Sequence, residues 1–451
     1  MSEYIKIKRG LNIKLPGAPD LEISNLGLPQ TFAIKPPGFV GLTPSLLVKQ
    51  GDEVKAGSPL FSDKNNEAIK FCSPVSGEVI DIIRGEKRKI LEIKILTDKE
   101  ISYAVFDKAN PEDLSREDIL HVLLNSGIWP FIRQRPFGII ANPSQIPKSI
   151  FISAFDSNPL APDYNFIFKE NDPAFQTGLN ALRKLTKGKI HLNISADASP
   201  APVFINATGV QVNKISGPHP AGNVGVQIHH IDPVNKGETV WCINPQDVLT
   251  VGKLFDQGKF DPVRVVAITG AQIRNPKYYK TYVGCAVKSI LADAVLKPGE
   301  SRIISGNPLT GNRIPVDGYL DFYDSQITVL PEGNEPEFMG WLDPGFNKFS
   351  LSHTFFSWLT PNKQYNLNTN LHGEERPFVV TGEYEKVFPM DIYPVHLLKS
   401  ILIEDLEMME NLGIYEVVEE DFALCEFICT SKIESQGIIR RGLDIIRKEF
   451  G

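Results

Sequence analysis

Residues 51–79, GDEVKAGSPLFSDKNNEAIKFCSPVSGEV, restrict the fold more tightly than any other part of the chain. Short runs of β-branched and aromatic residues alternate there with Gly and Pro, which stop a strand and turn it. The pattern extends on both sides through FAIKPP, SLLVKQGDEV, KFCSPVSGEVIDIIRG and ILEIKIL. Such a stretch is a small β unit of hairpins closed on itself, covering residues 1–104.

The same stretch is similar to the swinging-arm domains that carry lipoate or biotin on a lysine at a hairpin tip. Lys64, in SDK, looks like a lipoyl site, and Lys70, in EAIK, looks like a biotin site. Counting forward from Gly51 and back from Pro74, however, places the attachment position at Asn66 or Glu67, neither of which can be acylated. Lys64 lies three residues short of Glu67 and Lys70 three beyond it, an odd offset at which a strand turns its side chains to the other face. A biotinyl/lipoyl-like barrel-sandwich without an attachment lysine is the expectation.

Beyond residue 104 the character changes. PEDLSREDILHVLLNSG has helical spacing, with a Pro near its start and Gly127 at its end. SIFISAF, FQTGLNALRKLTKG, KIHLNIS, PVFINAT and VLTVGKLFDQGKF then alternate strand and helix, predicting a Rossmann-like α/β domain with a mostly parallel sheet over 105–257. Residues 258–335 follow in the order strand, turn, strand, short helix, turn, strand. That is the order of a β-grasp module of the SLBB type, with GYLDFYDSQITVL as a further strand. A loop-rich, aromatic connection fills 336–383, and amphipathic helices occupy 384–451. The class is therefore α/β and multidomain, as a 451-residue chain requires.

Composition narrows the function. A net charge of −7 supplies no basic field for nucleic acid. No stretch nears the ~18 uninterrupted apolar residues that cross a bilayer, and the N-terminus lacks the apolar core of a signal peptide. Five cysteines suggest no disulfide framework and suit a reducing compartment.

Each chemical motif competes with a plainer explanation. GNPLTGNR (306–313) has a phosphate-loop frame but Asn312-Arg313 in place of Lys and Ser or Thr. In GPHPAGNVG (217–225), Pro218 and Pro220 offer no N–H to an anion. That loop reads as a structured turn presenting His219, or as a ligand contact through its imidazole. Cys425 and Cys429 share a helical face, but a four-thiolate cluster would need partners from the scattered Cys72, Cys242 and Cys285, so buried structural cysteines are expected. His229 and His230, read as strand neighbours, point apart and cannot chelate together. SGIWPFIRQRPFG (126–138) crowds Trp129, Phe131 and Phe137 around Arg133 and Arg135 between two prolines. It suits a planar ligand or an interface, or else a loop packed on the β unit.

Taken in order, IKRGLNIKLPGAP, VKQGDEVKAGSPLFSDK, SGIWPFIRQRPF, FISAFDSNPLAPD, GPHPAGNVGVQIHHIDPVN, VWCINPQDVLTVGKLF, ISGNPLTG, GWLDPGFNKFS, GEYEKVFPMDIYP and DFALCEFICTSKIESQG resemble the A subunit of the sodium-translocating NADH:quinone oxidoreductase of bacteria. More distantly the chain is similar to the C subunit of Rnf complexes and the flavin-binding subunit of respiratory complex I. Those relatives bind FMN through a Gly-rich loop where this chain has Trp129, Phe131 and two arginines, which would obstruct a flavin. The resemblance implies a non-catalytic subunit, with no redox cofactor and no metal, in a complex that uses NADH, flavins, an iron–sulfur cluster, quinone and Na+. It implies membrane-embedded partners, the quinone-proximal B subunit foremost, and a peripheral position on the cytoplasmic face of the cell inner membrane. The quinone-proximal candidates are Phe32, Phe39, Trp129, Phe131, Arg133, Arg135, Phe137 and His219, with Pro37 and Leu42 beside the first two. Three other functions stay open: a purely structural cap, a soluble flavin- or NAD-binding dehydrogenase subunit, and a carrier protein.

Overall fold

The expected hairpins form two small sheets around one core in a computed structural model that describes residues 3–25, 27–334 and 337–450. Thr31–Ile34, Ile90–Thr97, Gly77–Arg84 and Glu53–Val54 make the first sheet, and Pro44–Leu46, Pro59–Asp63 and Asn66–Cys72 the second. Every pairing is antiparallel, and alternation buries Leu60, Phe71, Val79, Ile93 and Ile95 inside. Asp63 pairs with Asn66, so the hairpin turns at Lys64 and Asn65. Lys64 therefore occupies the exposed tip that residue counting assigned to Asn66 or Glu67. The register is irregular between Ser62 and Asp63, and an irregularity of that kind shifts every position beyond it. Lys70 is held instead, donating to Asn125 at 3.0 Å.

The helix Arg116–Asn125 starts where Ser115 and Asp118 cap one another reciprocally. Behind it lies a seven-stranded sheet. Tyr4–Lys6, Gln211–Ser216, Ile190–Ser195, Ser149–Ser153 and Val240–Cys242 run parallel in that order. Arg133–Arg135 and Ile139–Ile140 close one edge antiparallel. Helices Ala174–Arg183 and Pro245–Gln257 cross so closely that a Cβ on Gly252 would lie 1.6 Å from the Ala174 carbonyl oxygen. Residues 224–231 are helix rather than strand, which puts His229 and His230 on adjacent positions of one helix.

A six-stranded sheet follows, in the order Asn312–Ile314, Ser301–Ser305, Gln326–Pro331, Val263–Thr269, Lys277–Tyr282 and Asp20–Ser24, with helix Val287–Ala294 in the connection. The strand expected over GYLDFYDSQITVL begins only at Gln326; Tyr319 makes a single bridge to Ala286 and residues 320–325 are loop. Two of the chain's first strands leave the barrel. Tyr4–Lys6 joins the parallel sheet and Asp20–Ser24 joins the six-stranded one, so residues 4–24 strap both. Among the described residues 332–383 the chain forms turns and two single-turn helices, Gly340–Leu342 and Phe356–Leu359. Helices Pro394–Leu402, Leu406–Asn411, Ala423–Ile428 and Ser435–Phe450 then bury Leu398, Ile401, Met409, Leu424, Ile439, Leu443 and Ile446 at helical spacing.

Candidate functional site

Two of the segments singled out in the sequence meet at the seam of the barrel, the parallel sheet and the six-stranded sheet. Pro36–Gly38 turns the chain so that Phe39 points inward, with its ring centroid 4.6 Å from Phe71 and 5.0 Å from Phe322. From the other side the single turn Trp129–Phe131 brings Phe131 onto Phe322, stacked at 4.5 Å. Arg133 lies over the Tyr323 ring at 4.8 Å, and the Tyr323 hydroxyl donates to the Pro130 carbonyl at 2.7 Å. Phe322 and Tyr323, the hub of this junction, escape notice in the sequence because GYLDFYD imitates an alternating strand.

A buried ion pair sits beside the rings. Arg264 donates through Nη2 to Asp247 at 2.8 Å, and its guanidinium carbon lies 5.9 Å from the Phe131 centroid. Arg264 Nε and Nη1 have no hydrogen-bond partner. Burial raises the Asp247 carboxyl to about 6 against the pull of Arg264. Neither residue stands out in the sequence; an arginine inside VRVVAIT is the one available signal, since an unpaired charge is not buried in a strand without reason.

The remaining candidates lie apart from the hub. Phe32 is fully buried, edge-on to Tyr282 at 6.3 Å, and Trp129 packs on Trp241 while its Nε1 donates to the Ala141 carbonyl at 2.7 Å. Pro37 is exposed and Leu42 half-buried. Arg135 faces the C-terminal helices, donating at 2.6 Å both to Asp421 and to Glu420. Burial opposes its charge, yet those carboxylates outweigh it and hold its pKa above the ordinary arginine value. Phe137 packs on Tyr415, and its carbonyl accepts from Arg440 at 2.8 Å. His229 joins this bolt: its Nδ1 lies 2.7 Å from Glu416, and its Nε2 accepts from the Asp391 N–H at 3.0 Å.

His219 lies at the carboxyl ends of the parallel strands, the crevice where sheets of this kind take ligands. Here the loop that carries His219 folds over those ends, with Gly222 bonded to Ser153 and Ser157. The Leu11 N–H donates to the His219 carbonyl at 2.8 Å, and a Cβ on Gly10, whose φ is +144°, would lie 2.1 Å from that oxygen. Asn223 Nδ2 donates to the Glu420 carbonyl at 3.2 Å. Burial lowers His219 to about 4, so its imidazole is neutral against Ser157. Burial also raises the thiols, Cys72 to about 12, Cys242 and Cys285 to about 11, and Cys425 well above its ordinary value. Thiols so placed stay protonated and are poor metal ligands. Among the described residues no three of His, Cys, Asp and Glu gather as a metal site. No described helix is long and apolar enough to cross a membrane.

Comparison with known proteins agrees unit by unit. Residues 5–98 match the NqrA N-terminal barrel-sandwich hybrid domain, 114–260 the NqrA second alpha/beta domain, and 265–315 the NQRA C-terminal domain of the SLBB type. The A subunit of the Na(+)-translocating NADH-quinone reductase from Alcanivorax borkumensis is 39% identical over 99% of this chain and 100% of its own length. The chain belongs to the NqrA family. Its counterparts from Pasteurella multocida and Photorhabdus laumondii are 41% and 40% identical, each over 99% of this chain and their whole length. Among solved structures, an NAD+-reducing [NiFe]-hydrogenase chain aligns over 77% of this chain and 67% of its own at 10% identity, with a TM-score of 0.38. That is too slight a likeness to argue from. As a member of the NqrA family, the chain has its barrel-sandwich, α/β and SLBB units in the family order.

Proposed function

We propose that this chain is the peripheral, cofactor-free member of a complex that couples electron transfer from NADH to quinone with sodium export. It lies on the cytoplasmic side of the cell inner membrane, next to the quinone-proximal, membrane-embedded B subunit. Its relatives over the full length carry the name of the A subunit of a Na(+)-translocating NADH-quinone reductase. The α/β unit is taken as a Rossmann-like scaffold whose cofactor crevice has been given over to packing, and the residues that follow it as a β-grasp.

The observation that carries the reading is the covered end of the parallel sheet. The loop 217–223 lies over the carboxyl end of Ser149–Ser153, its Gly222 bonded to Ser153 and Ser157, its Asn223 to the Glu420 carbonyl and its His219 to Leu11. In this reading the sheet's ligand end is taken up by packing, and redox chemistry falls to partner subunits. The aromatic junction supports the quinone end of the assignment. A quinone head needs flat apolar walls and one or two donors, and Phe39, Phe131, Phe322 and Tyr323 lie beside the unmet donors of Arg264. A purely structural cap is the second reading, favoured by the burial of Phe39 and Phe131, both at 3% exposure or less.

A photoreactive quinone analogue applied to the purified complex separates the two. Adducts within residues 32–42, 129–137 or 322–323 are expected; labelling confined to other subunits leaves the structural cap. The cofactor-free assignment has its own check, because the isolated chain should be colourless.

A further inference from the structure

The loop-rich lobe between the six-stranded sheet and the C-terminal helices inverts the usual surface of a loop. Phe338 is 92% exposed, and Leu342, Phe346, Phe356, Trp358 and Leu359 are each half exposed or more. These side chains belong to one ordered lobe. The Phe356 N–H donates to the Pro344 carbonyl at 2.9 Å, the rings of Phe346 and Phe356 are 5.8 Å apart, and Lys348 ties Glu337 to the Gly340 carbonyl. Its inner side is fixed to the body. The Tyr365 N–H donates to the Lys14 carbonyl at 2.9 Å, the Tyr365 hydroxyl donates to the Ser357 carbonyl at 3.2 Å, and Phe349 packs on Tyr365 and Phe427. One side is anchored and the other is greasy and bare.

Size and charge identify what covers it. Six large side chains at half exposure present on the order of 600 Å², taking about 200 Å² for each. That is the upper end for a monomer's largest apolar patch and close to one side of a standard protein interface. Residues 337–363 carry Glu337 and Asp343 against Lys348 and Lys363, with no excess of positive charge to hold anionic lipid headgroups. Lys348 is already paired with both acids.

We propose that this lobe is the docking surface for an uncharged, apolar face of a membrane-embedded partner in the same complex. The proposal rests on the placement of this chain in that complex, argued above, and adds the place of contact.

The test is made on the whole complex, purified through a tag on one of the membrane-embedded subunits, from cells carrying either the wild-type chain or the triple variant Phe338→Ser, Phe356→Ser, Trp358→Ser. About tenfold less of the triple variant should be retained, as expected when central aromatic anchors are lost. The isolated variant should melt at the wild-type temperature, since these side chains face solvent. Val105→Ser, at a residue 90% exposed and outside the lobe, should be retained like wild type. Three results would overturn the proposal: full retention of the triple variant, binding of the wild-type chain to protein-free vesicles of neutral and anionic phospholipid, or a wild-type dimer that the triple substitution dissolves. Failure of the wild-type chain itself to co-purify would strike its placement in the complex, and the docking surface would fall with it.

Discussion

Arg264 and Asp247 set the stakes at the scale of single residues. Removing one partner of a buried pair strands the other charge, whereas replacing both by apolar side chains of similar volume is often neutral. Arg264→Met alone should cost about 3–5 kcal/mol, and Arg264→Met combined with Asp247→Leu should restore most of it. Thermal midpoints of the two variants measure this; equal midpoints would show that the pair is not what Arg264 is for. A second residue gives the protein a pH dependence. The Ser305 hydroxyl donates to Asp324 at 2.6 Å, while burial and the nearby Asp321 raise the Asp324 carboxyl to about 7. An acid whose folded pKa exceeds its unfolded value of about 4 favours folding while protonated. That contribution is whole below about pH 4 and is lost as pH rises through 7. Relative to Asp324→Asn, whose amide oxygen can still accept from Ser305, the wild type should therefore lose on the order of 2 kcal/mol between pH 5 and pH 8. Parallel pH–melting curves for the two proteins would contradict this.

At the scale of elements, the strand Arg133–Arg135 divides the segment that looks least ordinary in the sequence. Arg133 turns to the aromatic junction, and Arg135 bolts the parallel sheet to residues 416–421. Arg135→Ala should loosen the C-terminal helices, seen as faster amide exchange over 414–429, while Arg133→Ala leaves exchange there unchanged. How much could be foreseen follows from how local each cause is. The helix after Ser115, the helix ending at Gln257 and the tail helices depend on caps and periodicity within a few residues, and these are visible in the sequence. The strap strands Tyr4–Lys6 and Asp20–Ser24 pair with partners roughly two hundred residues or more away, and no local pattern reports that. The same is true of Phe322 and Tyr323, whose meeting with Phe39 and Phe131 is made by tertiary packing alone. The hairpin tip at residues 59–72 was misplaced for another reason: counting assumed a regular register, and the register slips. Lys64 stands exposed at that tip, so the mass of the chain decides whether it carries a tether. The intact mass of the chain from its native host should equal the sequence mass, and a lipoyl or biotinyl increment at Lys64 would refute the cofactor-free assignment.

The whole molecule joins a barrel-sandwich, an α/β and an SLBB unit, and the N-terminal strap and residue 420 pack against the loop 217–223 that covers the carboxyl ends of the parallel strands. Its buried aromatics join the barrel to both larger sheets, and its bare aromatics lie on one anchored lobe. In the proposed function it is a body that positions partners and shapes the quinone end without passing electrons itself. The most direct measurement uses membranes from cells that lack the chain but retain the other subunits of the complex, verified by immunoblot. NADH oxidation with a soluble artificial acceptor should persist there, sodium-dependent quinone reduction should be lost, and supplying the chain should restore it. Quinone reduction at the wild-type rate without the chain, or parallel loss of NADH oxidation, would contradict the account.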